Sequence, residues 1–86
     1  MPEISRFYGI IIKMFHNDHP PPHFHAVYQG EEVQINIETL EVIRGEIPRR
    51  ALILVLEWVA LLRDELRRAW DVAGRNQVPD KIEPLD

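Results

Sequence analysis

Eighty-six residues allow one domain, near the lower limit of what folds without covalent staples. No cysteine is present, which excludes disulfides and thiolate metal sites; stability must come from packing a chain that is 45% hydrophobic. The net charge of −4 arises in the first half: residues 1–47 hold three basic and seven acidic side chains, and residues 48–86 hold seven of each. That balance lacks the broad positive field of a non-specific nucleic-acid binder. Met1-Pro2-Glu3-Ile4-Ser5-Arg6 has no basic start of a secretory leader, and the apolar window from Ala51 to Leu62 contains Glu57 and is too short to span a bilayer. A cytoplasmic protein with no membrane partner is expected.

Phe7 to Phe15 reads as the first strand, with Tyr8, Ile10, Ile12 and Met14 on one face and Phe7, Gly9, Ile11, Lys13 and Phe15 on the other. Both faces are largely apolar, which places it centrally. His16 to Pro22 must be a loop, because proline lacks the ladder donor and pushes the preceding residue to extended geometry. His23 to Tyr28 is the second strand, with His23, His25 and Val27 opposite Phe24, Ala26 and Tyr28. A turn at Gln29-Gly30-Glu31 leads to Glu32–Glu38, where Val33, Ile35 and Ile37 alternate with polar residues as in a half-buried antiparallel strand. A turn near Thr39-Leu40 and a short fourth strand, Glu41 to Arg44, complete the sheet.

Pro48 suits the first position of a helix, where its missing N–H costs nothing. From Arg49 to about Ala73 the apolar residues Ala51, Val55, Trp58, Leu62, Leu66, Ala69 and Ala73 recur at steps of three or four, and Gly74 is a natural stop. A straight helix of that length, about 37 Å, is longer than one small sheet can cover, so its C-terminal turns should overhang or meet a partner. The expectation is an α+β fold in a single domain, residues 1–86. It has a four-stranded, mostly antiparallel meander over 6–44, one long helix over 48–73 packed across it, and a tail over 76–86 in which Ile82 and Leu85 fold back.

Three of the four histidines lie in Asn17-Asp18-His19-Pro20-Pro21-Pro22-His23-Phe24-His25. His23 and His25, at i and i+2 of a strand, project from one face, and Asn17, Asp18 and His19 adjoin them in the loop. Two or three imidazoles with one carboxylate can hold zinc, iron or manganese, so a divalent metal is a candidate although no cofactor is expected outright. The plainer reading, preferred on spacing alone, is structural: Asn17 and Asp18 cap the loop, and the histidines bond backbone groups left bare by the prolines. A hydrolase or ribonuclease built on Asp18, His19, His23 and His25 is a further possibility. Ile53, Leu54 and Leu61 project away from the main helix stripe and form a candidate interface for a protein partner or a second copy. Arg49, Arg63 and Arg67 share one flank of the helix and are candidate nucleic-acid contacts, diluted by Glu57, Asp64 and Asp71.

Several stretches also carry a family resemblance. These are Met1 to Ile10, Asn17-Asp18-His19, Pro21-Pro22-His23-Phe24-His25-Ala26, Ile37-Glu38-Thr39, Gly45 to Leu52, Glu57-Trp58 and Lys81-Ile82-Glu83-Pro84-Leu85. Together they resemble the small prokaryotic family called domain of unknown function 4160. Leu40 departs from the pattern, standing where members often carry glycine or another turn former. The resemblance implies a component of a toxin–antitoxin-like pair, or a transcriptional regulator attached to one, and carries over no catalytic residue. The leading expectation is therefore a protein-binding module, ahead of the His/Asp hydrolase and, third, a DNA-binding regulator.

Overall fold

The computed structural model describes residues 3–86; Met1 and Pro2, which open both the family resemblance and the expected domain, lie outside the described residues. Five strands, not four, form one antiparallel meander: β1 (Glu3–Phe7), β2 (Ile10–Lys13), β3 (His23–Tyr28), β4 (Glu31–Asn36) and β5 (Val42–Gly45), in the order β1-β2-β3-β4-β5. One helix among the described residues, α1 (Arg49–Gly74), follows.

The extra strand comes from a two-residue hairpin inside the stretch expected to be one strand. Tyr8 and Gly9 both have positive φ, 50° and 79°, and Phe7 pairs with Ile10. Two positive φ values make the turn that suits the twist of flanking antiparallel strands. A two-residue turn also shifts the odd–even phase, so Phe7 and Ile10 point to the same face. Phe7 is consequently in the core, while Tyr8 is 59% exposed. Gln29-Gly30 repeats the device with φ values of 49° and 84°, pairing Tyr28 with Glu31. The β4–β5 turn rests on Asn36, whose Oδ1 accepts the N–H groups of Glu38 and Thr39. Leu40 takes the left-handed conformation there, φ 63°.

One face of the sheet meets α1. Ile10, Ile12, Phe24, Ala26, Val33 and Ile35 pack there against Ala51, Val55, Trp58, Val59, Leu66 and Ala69. Trp58 sits at the centre with Phe7 and Phe24, at ring-centroid distances of 5.3 and 5.8 Å. Its Nε1–H donates to the Glu83 carbonyl at 2.7 Å, and the Ile82 N–H donates to Ile4 at 2.7 Å. The tail is thus bound across the helix and the edge of β1.

Pro48 flanks the helix with extended backbone, φ −53° and ψ 144°, and is not its first residue. At the other end Gly74 stays helical, and the left-handed residue is Asn76, φ 61°. The helix is also not straight. Twenty-six straight residues would reach about 39 Å at 1.5 Å each, whereas the longest dimension of the Cα body is 33 Å. Leu62 breaks the rod, with φ −123° and ψ 24°. The bend keeps Val55 and Trp58 before it, and Leu66 and Ala69 after it, against one short sheet.

Candidate metal centre

The prolines and the turn register bring Asp18, His23 and His25 together on the sheet face away from Trp58. His23 and His25 alternate with the core residues Phe24 and Ala26, so both rings leave β3 on that opposite face. The loop above them is pinned at two points. The Asn17 N–H donates to Ala73 at 3.2 Å, and the Ile37 N–H donates to the Pro22 carbonyl at 3.0 Å. Between these anchors the Pro20–Pro21 peptide is cis. Trp70 and Phe15 close the sides: Trp70 lies 5.3 Å from His23 between ring centroids, and Phe15 meets His25 edge-on at 4.5 Å. Both histidines are therefore buried, at 5% and 6% exposure.

Every polar atom of the cluster is accounted for. Asp18 Oδ1 accepts the His19 N–H at 2.8 Å, as a loop cap should. Asp18 Oδ2 faces both imidazoles, 3.0 Å from His23 Nε2 and 3.1 Å from His25 Nε2. On their outer sides, His23 Nδ1 meets the Pro21 carbonyl at 2.7 Å and His25 Nδ1 meets Glu32 Oε2 at 2.8 Å. Burial would raise the Asp18 pKa, but the hydrogen bonds from His25 and the His19 N–H, with the charges of His23 and His25, hold it below its ordinary value.

The outer acceptors determine where the protons lie. A carbonyl and an ionised carboxylate only accept, so each Nδ1 carries a hydrogen. In a neutral ring Nε2 is then a lone pair. Two such lone pairs face one carboxylate oxygen, with all three ligand atoms within 4.8 Å of one another. This arrangement is repulsive until a positive charge enters it: protons on the Nε2 atoms, or a cation. Ligand bonds of about 2.1 Å set neighbouring donors about 3.0–3.4 Å apart, a range that includes the two observed spacings to Asp18. Holding each Nδ1–H on a carbonyl or carboxylate is also how metal-binding histidines are generally oriented. The donor set fits zinc, manganese or iron(II), and three protein ligands leave coordination positions for a substrate or water.

The remaining candidates lie elsewhere. His19 is exposed and lines a cleft with Asp18, His23, Gln34, Ile43 and Arg44, while His16 is half-buried outside the cluster. Asn17 borders a second cleft on the other side of Asp18, with Phe15, Trp70 and Gly74. Arg67 is held by both Glu38 oxygens at 2.7 and 2.8 Å and by Asp64 at 3.0 Å. Arg49 is exposed, and Arg63 is half-buried with its Nε lacking a partner. Ile53 and Leu61 are exposed, at 47% and 75%, whereas Leu54 packs against the core.

Glu32, Arg44 and Trp70 are site residues that sequence reasoning missed. Glu32 was recoverable: a two-residue turn at Gln29-Gly30 sets His25 opposite Gln34, and Glu32 then lies diagonal to His25 on the same face. Arg44 needed the register shift between Gln34 and Ile35, which no residue type announces.

An antiparallel sheet carrying a two-histidine, one-carboxylate cluster on the face away from Trp58, at the end that Trp70 of α1 reaches, defines the class of site. The family model named Domain of unknown function (DUF4160) matches residues 9–71, and the chain belongs to that family. Neither curated proteins nor solved structures provide a match to the chain.

Proposed function

We propose that the protein is a small hydrolase of phosphate esters that uses a divalent metal held by Asp18, His23 and His25. The observation that carries this reading is the convergence of Asp18 Oδ2 and two Nε2 atoms whose outer nitrogens are already committed to Pro21 and Glu32. The metal would supply Lewis acidity at the phosphoryl oxygen. Water gives its hydroxyl to phosphorus, the phosphorus–oxygen bond to the leaving group breaks, and the surplus water proton goes to solvent. His19, on the cleft wall, is available to protonate the departing oxygen and regains its proton from solvent.

Titration of the metal-free protein with Zn²⁺ or Mn²⁺ in a calorimeter tests this. One ion per chain, a raised melting temperature reversed by chelator, and metal-dependent cleavage of a chromogenic phosphodiester are expected. All three should be lost in Asp18→Asn. A wild-type protein with no stoichiometric ion would overturn the metal reading; a bound ion without cleavage would overturn the hydrolase.

A second reading, a cytoplasmic protein-binding module of a prokaryotic toxin–antitoxin-like pair, is favoured by a different surface. Leu61 and Ile53 on α1, and Val42 on the edge strand β5, are apolar and exposed. It predicts a complex, with a partner or a second copy, that Leu61→Glu dissociates in sedimentation while metal binding stays unchanged. Nucleic-acid binding through the helix gains less, because Arg67 would have to leave Glu38 and Asp64 before reaching a phosphate.

A further inference from the structure

Asp18 is the common wall of two clefts of opposite chemistry. On one side Phe15 and Trp70 supply aromatic surface, with the Asn17 side-chain amide beside them and the end of α1 as floor. The Trp70 ring is held against His23, so this surface is preformed. A flat, mostly apolar slot with one amide able to donate and accept is suited to a planar heteroaromatic ring.

On the other side the cleft carries Arg44 and the Gln34 amide. Arg44 pairs with Gln34, which pairs with His25, so all three share one cross-strand row on the outer face. The register shift after Gln34 and the close approach of the next residue hold it there. Gly45 has φ 79°, and a Cβ at that position would collide with the Glu32 carbonyl oxygen. Arg6, Arg67 and Arg68 each pair with a carboxylate, whereas Arg44 has no such partner among the described residues. A guanidinium on a backbone fixed in register, without a carboxylate partner and lining the same cleft as Asp18 and His23, is an arrangement for a phosphate.

We propose that the ligand of this centre is a nucleotide, its base in the Phe15–Trp70 cleft and its phosphate at Arg44 beside the metal. The proposal rests on the metal centre above and adds the substrate class. One ligand spanning both clefts must lie across Asp18, so the phosphate reaches the metal ligands when the base is seated. An inorganic phosphate would use only the Arg44 side, and a nucleoside only the aromatic side.

The test is calorimetric titration of the metal-loaded protein with adenosine monophosphate, adenosine and inorganic phosphate. The nucleotide should bind at least tenfold tighter than either fragment. Arg44→Ala should weaken it about tenfold, towards the nucleoside. Gly74→Leu should weaken it towards phosphate, because a side chain there grows into the aromatic cleft and its Cβ meets no atom within 4 Å. Neither variant should alter the metal isotherm. Phosphate binding as tightly as the nucleotide, or a nucleotide isotherm indifferent to both variants, would overturn the proposal. If the wild type takes up no metal, the metal centre fails on its own. The same titrations on metal-free protein then judge the two clefts, and nucleotide binding that responds to both variants would uphold them.

Discussion

Glu32 reaches the candidate metal centre without touching the proposed ligand position, so replacing it isolates the orientation of His25. Its Oε2 accepts from His25 Nδ1 at 2.8 Å, which leaves Nε2, 3.1 Å from Asp18 Oδ2, as the nitrogen that takes either a metal or a second proton. Removing such an outer partner changes metal affinity by about 10–100-fold, equivalent to about 1.4–2.7 kcal/mol. The Glu32 side chain is 46% exposed, so water screens its charge. Glu32→Gln keeps an acceptor oxygen and loses only the screened charge, which puts it at the lower bound, about tenfold. Glu32→Ala removes the acceptor and lets the His25 proton move to Nε2, which blocks ligation; about hundredfold weaker binding is expected. Chelator-competition isotherms for Zn²⁺ and Mn²⁺ near neutral pH measure both, with Glu31→Ala as the unaffected control. If Glu32→Ala binds within twofold of wild type while Asp18→Asn does not bind, the argument that the outer acceptors dictate the tautomers is wrong.

Two further outcomes follow from the core and the loop. Trp58→Phe removes the bond to Glu83 and part of a fully buried ring, costing about 1 kcal/mol for the bond and about 1–2 kcal/mol for the lost volume. With about 2.1 cal/mol/K of unfolding entropy per residue over 86 residues, that total of about 2–3 kcal/mol lowers the melting temperature by about 11–17 °C. A drop under about 3 °C, followed by near-ultraviolet circular dichroism, would mean that Trp58 does not staple the tail. In the metal-free protein, folding lowers the Asp18 pKa below its ordinary 3.8, so the native state binds fewer protons than the unfolded one in that range. Its stabilisation is complete above 3.8 and fades as pH falls through the lower native value. The difference in urea midpoint between wild type and Asp18→Asn should accordingly shrink below about pH 4; a constant difference would contradict it.

Much of this was legible in the chain because period and turn chemistry are local. Val33, Ile35 and Ile37 alternate with polar neighbours, and Ala51 to Ala73 recur at helical steps; each set is buried as its period requires except Leu62, which is half-buried at the bend. The miss at Tyr8-Gly9 has a local cause as well. The two-residue turn reversed the phase of an apolar run, and a run apolar on both faces conceals such a reversal.

The sequence by itself determined which side chains could form a centre, since Asp18, His23 and His25 lie within eight residues and a strand places both histidines on one face. Tertiary structure alone decided that their nitrogens converge. Pinning of the loop to Ala73 and Ile37, the ring of Trp70 from the far end of the helix, and Glu32 from the next strand orient the imidazoles through long-range contacts. Spacing along a chain records which face a residue takes. It carries no information on which ring nitrogen holds the proton, because that is set by whichever acceptor the fold brings to the other side of the ring.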